Sequence, residues 1–147
     1  MKIDLNWNKE FAKVREGKVL LDNGNHKLYK CPAGKQTIGY GWNLEDRGLP
    51  ENLAIQLLNI ALNESESECE RNIASWNKHN FARKSVLVDM VYNMGWSRFS
   101  TFVKFLAALD DQDYDKAADE MADSRWYKQT GLRAKTLRKQ MRSGEYQ

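Results

Sequence analysis

The stretch Glu16–Leu44, EGKVLLDNGNHKLYKCPAGKQTIGYGWNL, decides how the rest of the 147-residue chain is read. Two runs mixing apolar and polar residues flank Asn23-Gly24, a strong hairpin signal because both central turn residues must accept positive φ. Val19–Leu21 and Lys27–Tyr29 are therefore expected as paired strands. A second turn at Cys31-Pro32-Ala33-Gly34 sends the chain back as Gln36–Gly41, a third strand whose glycines let a ligand approach the backbone closely. The expected product is a small antiparallel meander with a carboxylate, Glu16, ahead of it.

Outward on the N-terminal side, Trp7, Phe11 and Val14 recur at helical spacing, Asn6 can cap, and Gly17 stands where a helix would end in a left-handed residue. Glu16 then lies in the last turn, where the negative end of the helix dipole disfavours the ionised carboxylate and raises its pKa toward the range of a general acid. A solvated surface glutamate is the plain alternative. On the other side, Asn43–Pro50 reads as a polar loop, Pro50-Glu51-Asn52 as a helix start, and Leu53, Leu57, Ile60 and Ala61 as an apolar stripe. Asn63–Arg71 is polar nearly all round, which suits a solvent-exposed helix bridging two lobes.

From Phe81 onward the periodicity is helical. Val86, Leu87, Met90, Val91 and Met94 mark one helix, and Phe99, Phe102, Val103, Leu106 and Leu109 the next, with Gly95 as the break. Asp113 caps a third helix carrying Tyr114, Ala117, Ala118 and Met121. Ser124 and Thr130 suit further caps, so Arg125–Gln129 is expected as a short helix and Arg133–Arg142 as the last one. Stripes of this kind are packing faces.

Composition sets the outer limits. At 147 residues the chain fits one compact domain or two small lobes, and by size it buries roughly 68 to 70% of its unfolded surface. With 41% hydrophobic and 29% charged residues it falls among globular rather than disordered or membrane chains. MKIDLNWNKEF carries acidic and polar residues where a signal peptide would be apolar, so neither secretion signal nor membrane insertion is expected. The two cysteines, Cys31 and Cys69, make no disulfide framework, and no spacing suggests a metal or other cofactor. A net charge of +3 favours anionic partners mildly and chooses none.

The Glu16-Gly17 pair, then Tyr29-x-Cys31-Pro32-x-Gly34-Lys35-x-Thr37-Ile38-Gly39-Tyr40-Gly41 and Asn43-Leu44-Glu45-Asp46, resemble the phage-type lysozymes, the endolysins with which tailed phages hydrolyse peptidoglycan. Val91-Tyr92-Asn93-Met94-Gly95 and Asp123–Thr130, with Arg133-Ala134-Lys135 beyond, resemble that family's C-terminal lobe in order and rough spacing. The resemblance implies an α+β, mostly helical, two-lobed lysozyme-like fold. Its small lobe would span about 16–60 with a three-stranded antiparallel sheet, its interlobe helix about 60–73, and its helical lobe about 74–147 joined by the N-terminal helix.

It also implies hydrolysis of the β-1,4 bond between N-acetylmuramic acid and N-acetylglucosamine, and host lysis. No cofactor is implied. The partners would be peptidoglycan and a holin-type membrane-permeabilising protein, with the enzyme a monomer held in the host cytoplasm until lysis. Of the family's Glu, Asp, Thr set, the first falls on Glu16 as general acid, the second on Cys31 and the third on Thr37. About six extra residues between Glu16 and Tyr29 then belong to a longer first hairpin around Asp22–His26. Asn93, Arg125, Thr130 and Arg133 match positions that line or back the cleft, and Arg133 facing Glu16 would lock that side chain while lowering its pKa.

Cys31 departs from the family aspartate. A thiol near a carboxylate is pushed toward its neutral form, yet it can act through a thiolate fraction or hold a water with Thr37. An inert buried thiol and an inactive enzyme are the other readings. Asp22, the nearest other carboxylate, is best explained as a turn residue. Trp42 stands where many relatives carry histidine, so a polar tether made there by histidine is missing. Two rival classes remain: a non-catalytic peptidoglycan-binding relative, and a nucleic-acid-binding helix through Arg133, Lys135, Arg138, Lys139 and Arg142, which reads more simply as a solvated face.

Overall fold

The structure is a computed structural model that describes residues 9–10, 12–14 and 17–147. The chain divides into two compact units, Met1–Ala54 and Ile55–Gln147. In the first, residues 9–10 and 12–14 are helical, and Gly17 takes φ +68°, the left-handed value expected of a residue just past a helix end. Asn6, Trp7, Phe11 and Glu16 lie outside the described residues.

Asn23-Gly24 reverses the chain as expected: the Asn25 amide donates to Asn23 Oδ1 at 3.0 Å, and Gly24 takes φ +84°. The flanking segments do not become strands. A single bridge, Leu20 to His26, stands in place of the expected pairing of Val19–Leu21 with Lys27–Tyr29. Val19, Leu20 and Leu21 are 39–46% exposed, so no buried face holds a longer ladder in register.

The sheet begins later, with β1 (Tyr29–Lys30), β2 (Gln36–Ile38) and β3 (Trp42–Asn43) in antiparallel order β1-β2-β3. Tyr29 pairs with Thr37, and Thr37 with Asn43, which puts Thr37 at the centre. The strand expected to run to Gly41 ends at Ile38, because Gly39 and Gly41 adopt φ +66° and +81° and turn the chain into β3. The expected polar loop holds a short helix, Leu44–Arg47, capped by Asn43 and closed at Gly48.

A 22-residue helix, Glu51–Asn72, begins in the first unit and ends in the second. Its expected stripe is not buried, since Leu53, Leu57 and Ile60 are 40–55% exposed. The buried positions are Ser65 and Cys69, continued by Ile73, a spacing of four that puts all three on one helix face. The polar Asn63–Arg71 segment therefore carries part of a packing face.

In the second unit Phe81–Met94, capped by Asn80 and ended by Gly95, buries Val86, Leu87, Met90 and Val91. Trp96–Phe99 and Val103–Asp110 follow as two helices where one was expected, and they bury Phe99, Phe105, Ala108 and Leu109. Val103, expected in the core, is 69% exposed; the helix opens at Val103, and its rotation turns Phe105, Ala108 and Leu109 inward instead. Tyr114–Ala122 carries its Asp113 cap, and Arg125–Thr130 its Ser124 cap. Thr130 caps nothing: it ends its helix, and Gly131 at φ +66° precedes the last helix, Leu132–Ser143. Trp76, Met121, Trp126, Leu137 and Met141 complete one apolar core.

Candidate active site

Glu16 lies outside the described residues, so the expected contact with Arg133 does too. Cys31 and Thr37, six positions apart in sequence, are brought together by the turn between β1 and β2. The Lys35 carbonyl accepts two hydrogen bonds, from the Cys31 amide at 3.0 Å and from Thr37 Oγ1 at 3.0 Å. Thr37 is 2% exposed, buried at the central sheet position, while Cys31 is half-buried.

The described surroundings of Cys31 act against the neutral thiol expected beside a carboxylate. Backbone hydrogen bonding at Lys35, helped by the Ala33 backbone, outweighs desolvation and holds the thiol below its ordinary range. Cys69 is the opposite case. Buried, and near Glu66 and Glu68, its thiol is pushed up to about 12, as an inert core group.

The groups that hold this turn stand in the motifs of the resemblance, where sequence reasoning gave them no role. Lys35 Nζ donates to Asp46 Oδ1 at 2.9 Å and to Glu45 Oε1 at 3.2 Å, and the Gln36 amide donates to Glu45 Oε2 at 3.1 Å. Asp46 is locked in turn, its amide donating to Asn43 Oδ1 at 3.0 Å and its Oδ2 accepting from Asn43 Nδ2 at 2.9 Å. The Asn43-x-x-Asp46 spacing is a capping signal and could have announced the short helix that carries both carboxylates. The Gln36 amide first, then Lys35, lowers the Glu45 pKa; Lys35 lowers that of Asp46, and Asp46 first, then Glu45, raises that of Lys35. Trp42 has its own tether: Nε1 donates to the Gly48 carbonyl at 2.8 Å, and the Arg47 guanidinium sits 3.7 Å from the ring centroid.

In the second unit the four remaining candidates come from neighbouring elements. Asn93 Oδ1 accepts from Trp126 Nε1 at 2.9 Å, which ties the end of Phe81–Met94 to the residue beside Arg125. One turn back, Asp89 holds Arg133 with a bidentate pair at 3.0 and 2.7 Å and raises the guanidinium pKa. Asp89 is a residue that sequence reading did not single out, four positions before Asn93 and so on the same helix face. Arg125 is exposed and Thr130 half-buried.

The basic run of the last helix is largely engaged within the unit: Arg138 pairs with Asp119, and Arg142 with Asp115 and Asp119. Among the described residues no group of His, Cys, Asp and Glu is arranged to hold a metal ion, and no helix is long and apolar enough to cross a membrane.

The sequence pattern of the Phage lysozyme family matches residues 22–144. A probable T4-type lysozyme 2 of Dictyostelium discoideum is 29% identical over 156 aligned positions, covering 86% of this chain and 88% of that one. The family match takes in Cys31, Thr37 and all four candidates of the second unit and starts after Glu16. The chain belongs to the phage lysozyme family, and that membership supports a muramidase-type glycoside hydrolase function on peptidoglycan.

Proposed function

We propose that the protein is an endolysin that hydrolyses the β-1,4 bond between N-acetylmuramic acid and N-acetylglucosamine, with Glu16 as general acid. The observation that carries this reading is the pairing of Cys31 and Thr37 on one carbonyl in a segment that matches the family. Glycoside hydrolysis needs a proton donor for the leaving oxygen and a second group on the opposite face of the sugar. In that second position the Cys31 thiol, its pKa lowered by its surroundings, acts through its thiolate fraction or holds a water with the Thr37 hydroxyl on the face opposite the leaving oxygen.

Asn93, Arg125, Thr130 and Arg133 are assigned to substrate binding, lining or backing the cleft. The exposed Arg125 is free of ion pairs among the described residues. The protein would act as a monomer on the cell wall, stay in the host cytoplasm until lysis, and reach its substrate through a holin-type membrane-permeabilising partner.

The test uses purified peptidoglycan and mass spectrometry of the soluble products. Wild type should release muropeptides with reducing N-acetylmuramic acid ends. Glu16→Gln keeps the size of the side chain but has no proton to give, so the rate should fall by about 10²- to 10⁴-fold with folding unchanged. Thr37→Ala should lose less. Cys31→Asp should retain hydrolysis and Cys31→Ala lose most of it. A wild type that pellets with the walls and releases nothing would make the protein a glycan-binding relative, and a fully active Glu16→Gln would remove the proton donor.

A further inference from the structure

We propose that Glu45 and Asp46 are positioning residues that fix the Cys31 thiol and the Thr37 hydroxyl by clamping Lys35 and the Gln36 amide. The inference rests on the reading of Cys31 and Thr37 as the second catalytic position. Its basis is a chain of contacts inside one unit. The short helix Leu44–Arg47 is fixed by Asn43, which pairs across the sheet with Thr37 itself. From that helix Glu45 and Asp46 reach back to the Lys35 ammonium, and Glu45 also takes the Gln36 N–H.

These are the two residues that lead into Thr37. The Lys35 carbonyl is the acceptor shared by the Cys31 amide and the Thr37 hydroxyl. A shift of the Lys35–Gln36 peptide therefore moves both reactive groups together. Lys35, Glu45 and Asp46 are 39, 44 and 51% exposed along their side chains. Ion pairs that exposed contribute little to stability, while small displacements of a reacting group cost rate heavily. The clamp thus has more to do with geometry than with folding.

The sign of one measurement separates positioning from simple electrostatics. Removing two carboxylates near a thiol, by Coulomb's law alone, lowers the thiol pKa. Loosening the backbone at Lys35, the largest contribution holding the thiol down, raises it. The probe is the rate of Cys31 carboxamidomethylation by iodoacetamide against pH, followed by peptide mapping; Cys69 is buried and unreactive in the folded chain.

In Glu45→Gln/Asp46→Asn the alkylation midpoint should move up in pH. The kcat on peptidoglycan should fall about tenfold with KM within about twofold, since position rather than binding is lost. Lys35→Met should reproduce the loss of kcat and Lys35→Arg, which keeps the pair, should rescue it. Circular dichroism checks folding, and the single Asp46→Asn replaces the double variant if that one unfolds. A midpoint that stays or falls overturns the clamp, as does a raised midpoint with unchanged kcat in an active enzyme. If the wild type cleaves nothing, the hydrolase reading fails and the thiol midpoint alone still decides the clamp.

Discussion

In the unit Ile55–Gln147, Val86, Leu87, Met90, Phe99, Phe105, Leu109, Met121 and Met141 are 0–1% exposed, whereas among the described residues of Met1–Ala54 the buried side chain is a hydroxyl, Thr37. The first arrangement stores free energy in apolar area withdrawn from water, at roughly 25 cal/mol per Å². The second relies on directional contacts: a carbonyl shared by two donors, a lysine between two carboxylates, an indole N–H on a carbonyl. Such contacts fix angles well and add little net stability at exposed sites. The contrast teaches that the two units should answer mutation in different currencies, stability for one and rate for the other.

The largest effect should come from the apolar unit. Leu87→Ala or Met90→Ala removes a fully buried side chain and should cost about 2–5 kcal/mol of unfolding free energy in urea. Alanine at Glu64, Glu66, Ser67 or Glu70, all exposed on the Glu51–Asn72 helix, should stay within about 0.5 kcal/mol. Cys69 does not belong with that tolerant set, because it is 0% exposed. Equal losses at both sets would erase the distinction between the units.

An intermediate effect is expected where polar contacts tie the helices of the apolar unit together. Asn93→Ala strands the indole N–H of Trp126, a residue only 4% exposed, and should cost about 1 kcal/mol, at the low end for a lost buried partner because Asn93 itself meets water. Arg133→Gln breaks the bidentate pair with Asp89, whose side chains are 45 and 28% exposed, and should cost about 0.2–1 kcal/mol, less in 1 M salt. Melting curves at low and high salt rank the two. A larger, salt-sensitive loss for Arg133→Gln would show that the ion pair, not the Asn93–Trp126 contact, fastens these helices.

How far the sequence could be read follows the same division. The periodic stripe of Phe81–Met94 and the caps Asp113 and Ser124 were readable because helix period and capping are local properties. Val103 and the Leu53, Leu57, Ile60 stripe misled, because which face is buried depends on what packs against it. Around the site, Cys31 and Thr37 stood out through resemblance, and the turn at Cys31–Gly34 through its Pro and Gly. Strand limits did not, since two- and three-residue strands carry too few side chains to show a period. Asp89 carried no signal, and Lys35, Glu45 and Asp46 were legible as motif residues without a role, for a different reason: each matters through a partner that is distant in sequence or held by a turn, and a single charged residue carries no sign of its partner.

The smallest effect, and the sharpest way to tell the units apart, lies in His79. It is 5% exposed, with Nε2 3.1 Å from Ser75 Oγ and Nδ1 3.0 Å from Tyr114 Oη. Burial first, then Arg83, Lys84 and Lys78, push its pKa below the ordinary value, against an upward pull from Asp110. A depressed pKa in the folded state means that the unfolded chain, with an ordinary value of about 6.5, binds the proton first as pH falls. The stability contributed by neutral His79 is therefore complete above about pH 6.5 and lost as pH falls toward and through the folded value. Asp119, held down by Arg138 and Arg142, begins to lose its share only in the carboxylate range at about pH 4, below the pH at which the His79 loss begins. Urea midpoints of wild type should decline between about pH 7 and 5 more steeply than those of His79→Gln, which has no proton to gain. The same substitution should leave the Cys31 alkylation midpoint where it was. Parallel pH curves for wild type and variant would mean that His79 is already exposed to protons in the folded state, and a shifted Cys31 midpoint would mean that the packing of the apolar unit sets the reactivity of the polar one.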